Sequence, residues 1–290
     1  MHTGLKIAAV AAAAAATFGT AYGVGSGVTP VIAEQRPPAH ERHGGEETHA
    51  GEADTVPGGL QVSDRGYTLD LERDRLPGPT GVLRFTIRKD TEGGAGEPLT
   101  SYETEHGKQL HLIVASRDLT AYRHLHPVRA ADGTWSTPVS LPKAGDYRVF
   151  ADFTPRGAQE GLTLGAGLGV AGTYAPAPLP EHSTTARVAG GYEVRVDGEL
   201  AAGAARELTL TVTRNGRPVT DLDPYLGAYG HLVALRAGDL AYLHVHPHDG
   251  RPGPEVSFTA TAPSTGTYRL FLDFKHDGEV RTAAFTVHAA

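Results

Sequence analysis

The sequence predicts an all-β chain: two tandem antiparallel β-sandwich domains that follow an N-terminal signal or anchor helix. Three observations predict it. Apolar and polar residues alternate in short runs, with turn residues about every 8–12 positions. A long stretch occurs twice, as residues 66–153 and again as 191–274. Glycine and proline are abundant, 37 and 20 of 290 residues, and amphipathic helical stretches are hard to find.

The chain opens with a short polar start ending at Lys6, then an uncharged run from Ile7 to Ala33 that begins IAAVAAAAAATFGTAYGVGSGV. An alanine-rich core of this kind reads as a secretory signal. The run is also long enough to span a bilayer as a helix, and Gly19, Gly23 and Gly27 repeat a small-residue spacing used where such helices touch. No A-x-A cleavage site follows the alanines, which tips residues 1–33 toward an uncleaved anchor. Either way the rest of the chain is expected outside the cytoplasm, membrane-anchored or secreted. Residues 34–57 carry many charges and few large apolar side chains, so a disordered His- and acid-rich tether is expected. Its His40, His43 and His49 read either as solvated linker residues or as a loose metal collector.

The first sandwich is expected over residues 58–173, a proline-rich linker over 174–186, and the second sandwich over 187–290. Each copy begins Gly-Tyr and an alternating strand, TLDLE in one and EVRVD in the other. VLRFTIRK then matches ELTLTVTR, and HLIVASRDLTAYRHLHP matches HLVALRAGDLAYLHVHP. PKAGDYRVFADF matches PSTGTYRLFLDF, which sets Tyr147 and Tyr268 just after a glycine corner at the head of a late strand. Immunoglobulin-like sandwiches place a corner tyrosine there, and Val149 and Leu270 then stand where antibody domains have their second cysteine. Closing strands are expected at Leu162–Val170 and Thr282–Val287.

Both copies share the pattern H-x10-Y-x-H-x-H-P: His111, Tyr122, His124 and His126 in the first, His231, Tyr242, His244 and His246 in the second. Two short β-prone runs separated by a few turn residues predict a hairpin. Symmetric pairing sets His111 opposite His126 and Ile113 opposite His124. Residues two apart on a strand share a face, as do directly opposed residues, so all three imidazoles converge. The same arithmetic applies to His231, His244 and His246, giving one three-histidine metal site per module. Asp152 and Asp273 are expected to pair with Arg148 and Arg269 on their own strands, or else to offer an oxygen ligand. His106, opposite Leu226 in the repeat, looks incidental, and His248 and His276 have no counterparts in the first copy.

The chain has no cysteine and its one methionine is residue 1, so thiol chemistry, disulfides and sulfur ligation are excluded. Imidazole ligands outside the cytoplasm favour Cu(II), with Zn(II) second. The net charge of −7 comes largely from Glu34 to Asp54, and no basic stripe suggests nucleic acid. Expected partners are therefore the metal ion and a membrane metal transporter or metalloprotein, with the membrane itself if the leader is uncleaved.

The run PYLGAYGHLVALRAGDLAYLHVHP resembles a family of uncharacterised secreted or membrane-anchored actinobacterial proteins. More distantly the module is similar to immunoglobulin-like extracytoplasmic copper-handling domains. The resemblance implies fold and location, and it covers the second module more closely than the first. Buffering, sensing or transfer of metal is the function expected. Two alternatives remain: a metalloenzyme using an open three-histidine site, in which no clear general base is visible, and a structural or adhesive repeat without metal.

Overall fold

The computed structural model describes residues 56–91, 94–243 and 245–290. The predicted signal or anchor of residues 1–33, and the tether up to residue 55 with His40, His43 and His49, lie outside the described residues. Among the described residues no helix is long and apolar enough to cross a membrane.

The first module opens with β1 (Ser63–Asp64), β2 (Tyr67–Leu71), β3 (Arg75–Leu76), β4 (Thr80–Thr91) and β5 (Gly94–Pro98). It continues through β6 (His111–Ser116), β7 (Tyr122–Leu125), β8 (Val128–Arg129), β9 (Trp135–Ser140), β10 (Gly145–Phe153) and β11 (Leu162–Val170). The second opens with β12 (Thr185–Val188), β13 (Tyr192–Asp197), β14 (Ala205–Arg214), β15 (Arg217–Pro218) and β16 (His231–Arg236). It ends with β17 (Tyr242–Leu243), β18 (Val245–Pro247), β19 (Glu255–Thr261), β20 (Gly266–His276) and β21 (Glu279–Ala289).

In the first module the order β1-β2-β4-β9-β8 forms one sheet, with β5 beside β4, and β3-β11-β10-β6-β7 forms the other. The second repeats this as β12-β13-β14-β19-β18, with β15 beside β14, and β17-β16-β20-β21. Apart from the short parallel pair β3–β11, the strands pair antiparallel. This is the strand order of an immunoglobulin-like sandwich. The corner tyrosines are in place: Tyr147 donates its hydroxyl proton to Lys143 O at 2.9 Å, and Tyr268 to Ser264 O at 2.8 Å. Val149 and Leu270 are fully buried, so packing occupies the place a disulfide would take.

Alternation explains most strands. In β4, Leu83, Phe85 and Ile87 point inward, and in β14 Leu208, Leu210 and Val212 do so, while their neighbours face out. The strand β6 departs from this rule, for every residue of it is buried. Leu112 and Val114 fill the first sandwich, whereas Ile113 and Ala115 join Phe150 of β10 on the outer face. That outer face packs against Val233, Leu235 and Phe271 of the second module, forming a third core between the two sandwiches. The two modules thus dock through the sheets that carry their histidine strands.

Candidate metal centre

The hairpin β6–β7 has the predicted register, with Ile113 opposite His124 and Leu112 opposite Leu125. Its turn is braced by Asp118, which accepts from the Ser116 hydroxyl at 2.6 Å and from the Thr120 backbone N–H at 3.1 Å. Leu119 adopts a left-handed conformation (φ 55°) and Leu240 its repeat equivalent (φ 66°). A leucine there is unfavourable by itself, but both side chains bury in the core between the modules. This accounts for the Asp-Leu pair present in both loops.

The hairpin brings His111, His124 and His126 together, each offering a nitrogen within 4.8 Å of the others. Their ring centroids lie 5.2, 5.3 and 4.8 Å apart. His111 and His124 approach most closely, Nδ1 to Nε2, at 3.0 Å. The outer nitrogens of both rings are already committed. His124 Nδ1 lies 2.9 Å from Asp273 Oδ2, and His111 Nε2 lies 3.3 Å from Glu105 O. A carboxylate and a carbonyl only accept, so both of these nitrogens carry the proton. A neutral imidazole has one N–H. With both rings neutral the two inner nitrogens are lone pairs facing each other at 3.0 Å, and either a proton on one of them or a cation between them makes that approach favourable. His126 Nε2 is buried without a hydrogen-bond partner.

Burial, and after it the neighbouring His124, lowers the pKa of His111 from its ordinary 6.5 to about 3. His126 is lowered to about 3 by the same two causes, and His231 to about 4. Neutral imidazole is the form that ligates a metal. An ion seated here would find each anchored ring already oriented by a second acceptor, the arrangement that fixes ligand tautomers in metal sites.

The second module reaches this place. His231 donates Nε2–H to Tyr225 O at 3.0 Å, repeating the bond that His111 makes to Glu105. Its ring lies 5.9 Å from His111 and 6.0 Å from His124. His244 lies outside the described residues. His246 is placed by its backbone in β18, opposite Thr259, and its side chain lies outside what is described. An open cleft of about 930 Å³ runs along the centre, lined by residues of both modules, among them His106, His111, His124, His231 and Tyr242.

Two sequence expectations need correction. Asp273 does not pair with Arg269; it accepts from His124, from Tyr122 Oη at 3.3 Å and from the Thr282 hydroxyl, while Arg269 donates to Thr286 Oγ1 at 2.8 Å. Likewise Arg148 donates to Gly59 O and Leu60 O at 2.6 and 2.8 Å, and Asp152 accepts from Thr163 Oγ1 at 2.9 Å. Arg148 finds its acceptors in the segment before β1, and Arg269 in Thr286 directly opposite it on β21, so neither turns to the aspartate of its own strand. His106 is no bystander either, since its ring stands 5.2 Å from His231 and 6.3 Å from His111. Its left-handed backbone (φ 49°) repeats at Leu226 (φ 56°), so the loop is shared although the side chain differs.

A family described as "Domain of unknown function (DUF8832)" matches twice, over residues 61–164 and 186–290. The chain belongs to this family. Each DUF8832 match takes in a histidine strand and most of one sandwich, the first ending inside β11, so the repeat seen in the sequence is a repeat of the family's unit. Among curated proteins none matches. Solved structures similar to this DUF8832 chain include the D0-D1 domain of Intimin, 12% identical, covering 77% of this chain and 94% of that one, with a TM-score of 0.21. Domains 4 and 5 of the S-layer protein SbsC are 11% identical, covering 79% and 99%, with a TM-score of 0.23. A chimeric titin Z1Z2 is 12% identical, covering 81% and 99%, with a TM-score of 0.21. At these scores the fold assignment rests on the strand order and the corner tyrosines.

Proposed function

We propose that this chain is an extracytoplasmic metal-binding protein, held at the membrane or secreted through its leader, that buffers, senses or passes on metal. His111, His124 and His126 are its ligands, Cu(II) its preferred ion and Zn(II) the second. The observation that carries the reading is the convergence of three histidine nitrogens, with His111 Nδ1 and His124 Nε2 at 3.0 Å and the outer nitrogen of each of these two rings held by an acceptor. Two nitrogens at about 2.0–2.1 Å from one ion stand about 3.3 Å apart on tetrahedral Zn(II) and about 2.9 Å apart as cis ligands of square-planar Cu(II), so either metal fits between them with little movement. Buried His126 Nε2, without a partner, supplies a third. The ligand set is nitrogen only, which places copper(II) first by affinity order.

The test is equilibrium titration of the metal-free full chain with Cu(II) and with Zn(II), beside His124→Ala. A tight site present in the wild type and absent in the variant supports the proposal, with weak uptake by His40, His43 and His49 unchanged. Identical uptake by the two chains overturns it. Turnover of a test substrate by the copper-loaded protein is the outcome that moves the reading to an enzyme.

A further inference from the structure

The first module's trio is not built by the first module alone. Asp273, on β20, holds His124 by a 2.9 Å bond, and the two side chains are only 3% and 5% exposed. The β16–β20 ladder sets Asp273 opposite His231. A single strand pair of the second module therefore delivers both groups to the centre. His231 has its Nε2 committed to Tyr225 O, which leaves Nδ1 as the nitrogen for a ligand, as in His111. A tetrahedral ion with nitrogens at about 2.0–2.1 Å separates imidazole centroids by about 5 Å. The trio already stands at that spacing, and His231, at 5.9 and 6.0 Å from His111 and His124, falls short by about 1 Å. Coordination by His231 therefore requires its ring to move in by about 1 Å when an ion binds.

Resting on the metal reading above, we propose that the centre is shared between the modules. His111, His124 and His126 come from the first, His231 from the second is the fourth nitrogen, and Asp273 is the residue that positions His124. Metal then acts as a staple. It binds only the docked arrangement, so occupancy stabilises the interface by mass action. The cleft runs along the same seam, which gives an ion its way in. Metal content and inter-module rigidity are in this way coupled in one chain.

The experiment uses the full chain and Cu(II), with coordinated nitrogens counted from the superhyperfine pattern in electron paramagnetic resonance and affinity measured by competition with a chelator. Four nitrogens are expected in the wild type and three in His231→Ala. Asp273→Asn is expected to weaken affinity 10–100-fold, the usual cost of losing a partner behind a ligand. The rise in melting temperature on adding Cu(II) is expected to shrink in both variants. Should Asp273→Asn fail to fold, as its circular dichroism would show, the nitrogen count of His231→Ala decides alone. An unchanged count and affinity in His231→Ala overturns the shared centre and leaves the trio standing. Two ions per wild-type chain, with His231→Ala losing one and leaving the other untouched, also overturns it. No tight uptake by the wild type overturns the metal reading itself.

Discussion

His124 and Asp273 meet at 2.9 Å although 149 residues separate them in the chain. The contact crosses from one sandwich to the other, and beside it a tyrosine–aspartate contact occurs once in each direction. Tyr122 donates to Asp273 Oδ2 at 3.3 Å, and Tyr242 approaches Asp152 Oδ2 at 3.5 Å. Tyr122 also stacks on Phe271 at 4.2 Å with rings nearly parallel, while Tyr242 lies 5.7 Å from Phe150. The interface therefore repeats its own chemistry, each module giving a tyrosine and taking one.

These reciprocal bonds have a measurable value. Tyr122→Phe removes one of the bonds to Asp273 and leaves His124 and Thr282 in place, so about 1 kcal/mol of stability should be lost. The longer Tyr242 bond should be worth less. Denaturant midpoints for both variants, at unchanged slope, check the order.

Phe271 carries more. It is buried against Tyr122 in the core between the modules, and Phe271→Ala should cost about 3–5 kcal/mol. Because the loss falls on the seam, the expected sign is two separate unfolding transitions in the variant and one in the wild type. Calorimetry distinguishes a split transition from a single one at lower temperature.

Acid should weaken the metal-free protein from below neutrality. The folded pKa values of His111 and His126 are about 3 and that of His231 about 4, against an ordinary 6.5 in the unfolded chain. Between these limits the unfolded chain binds protons that the folded one does not, so stability rises with pH. The contribution is complete above about pH 6.5 and is lost progressively as pH falls toward 4 and then 3. Unfolding midpoints from pH 7 to 4 should fall, and replacing His111 by Gln should flatten that slope.

The corner tyrosines test the fold apart from the centre. Tyr147→Phe and Tyr268→Phe each delete one hydroxyl bond to a backbone carbonyl, worth about 1 kcal/mol. Neither ring touches the trio, so metal uptake should remain as in the wild type, as titration beside a thermal melt would show.

Much of this was legible before folding. The alternation in β4 and β14, the corner motif, and the closing strand Leu162–Val170 follow from local backbone periodicity, which the sequence displays directly. So does the hairpin register, because the two histidine strands and a short turn admit one symmetric pairing. The partners of Asp273 and Asp152 were not legible. Residues four apart on one strand are the only neighbours a sequence shows, and Arg148 and Arg269 were the visible candidates. The continuous apolar run of β6 did carry a signal, since a strand facing solvent on one side has no reason to be buried at every position.

By itself the sequence determined two copies of an immunoglobulin-like unit and three imidazoles on one face of a hairpin, because strand pleat and turn length act over a few residues. Only the tertiary structure decided that His106, His231 and Asp273 stand at the same place. Their approach depends on apolar sheet faces, Ile113 and Phe150 against Val233 and Phe271, burying each other across the chain. That burial is a property of surfaces formed after folding: the apolar run of β6 signals that its outer face is covered, and no spacing within either copy shows by what.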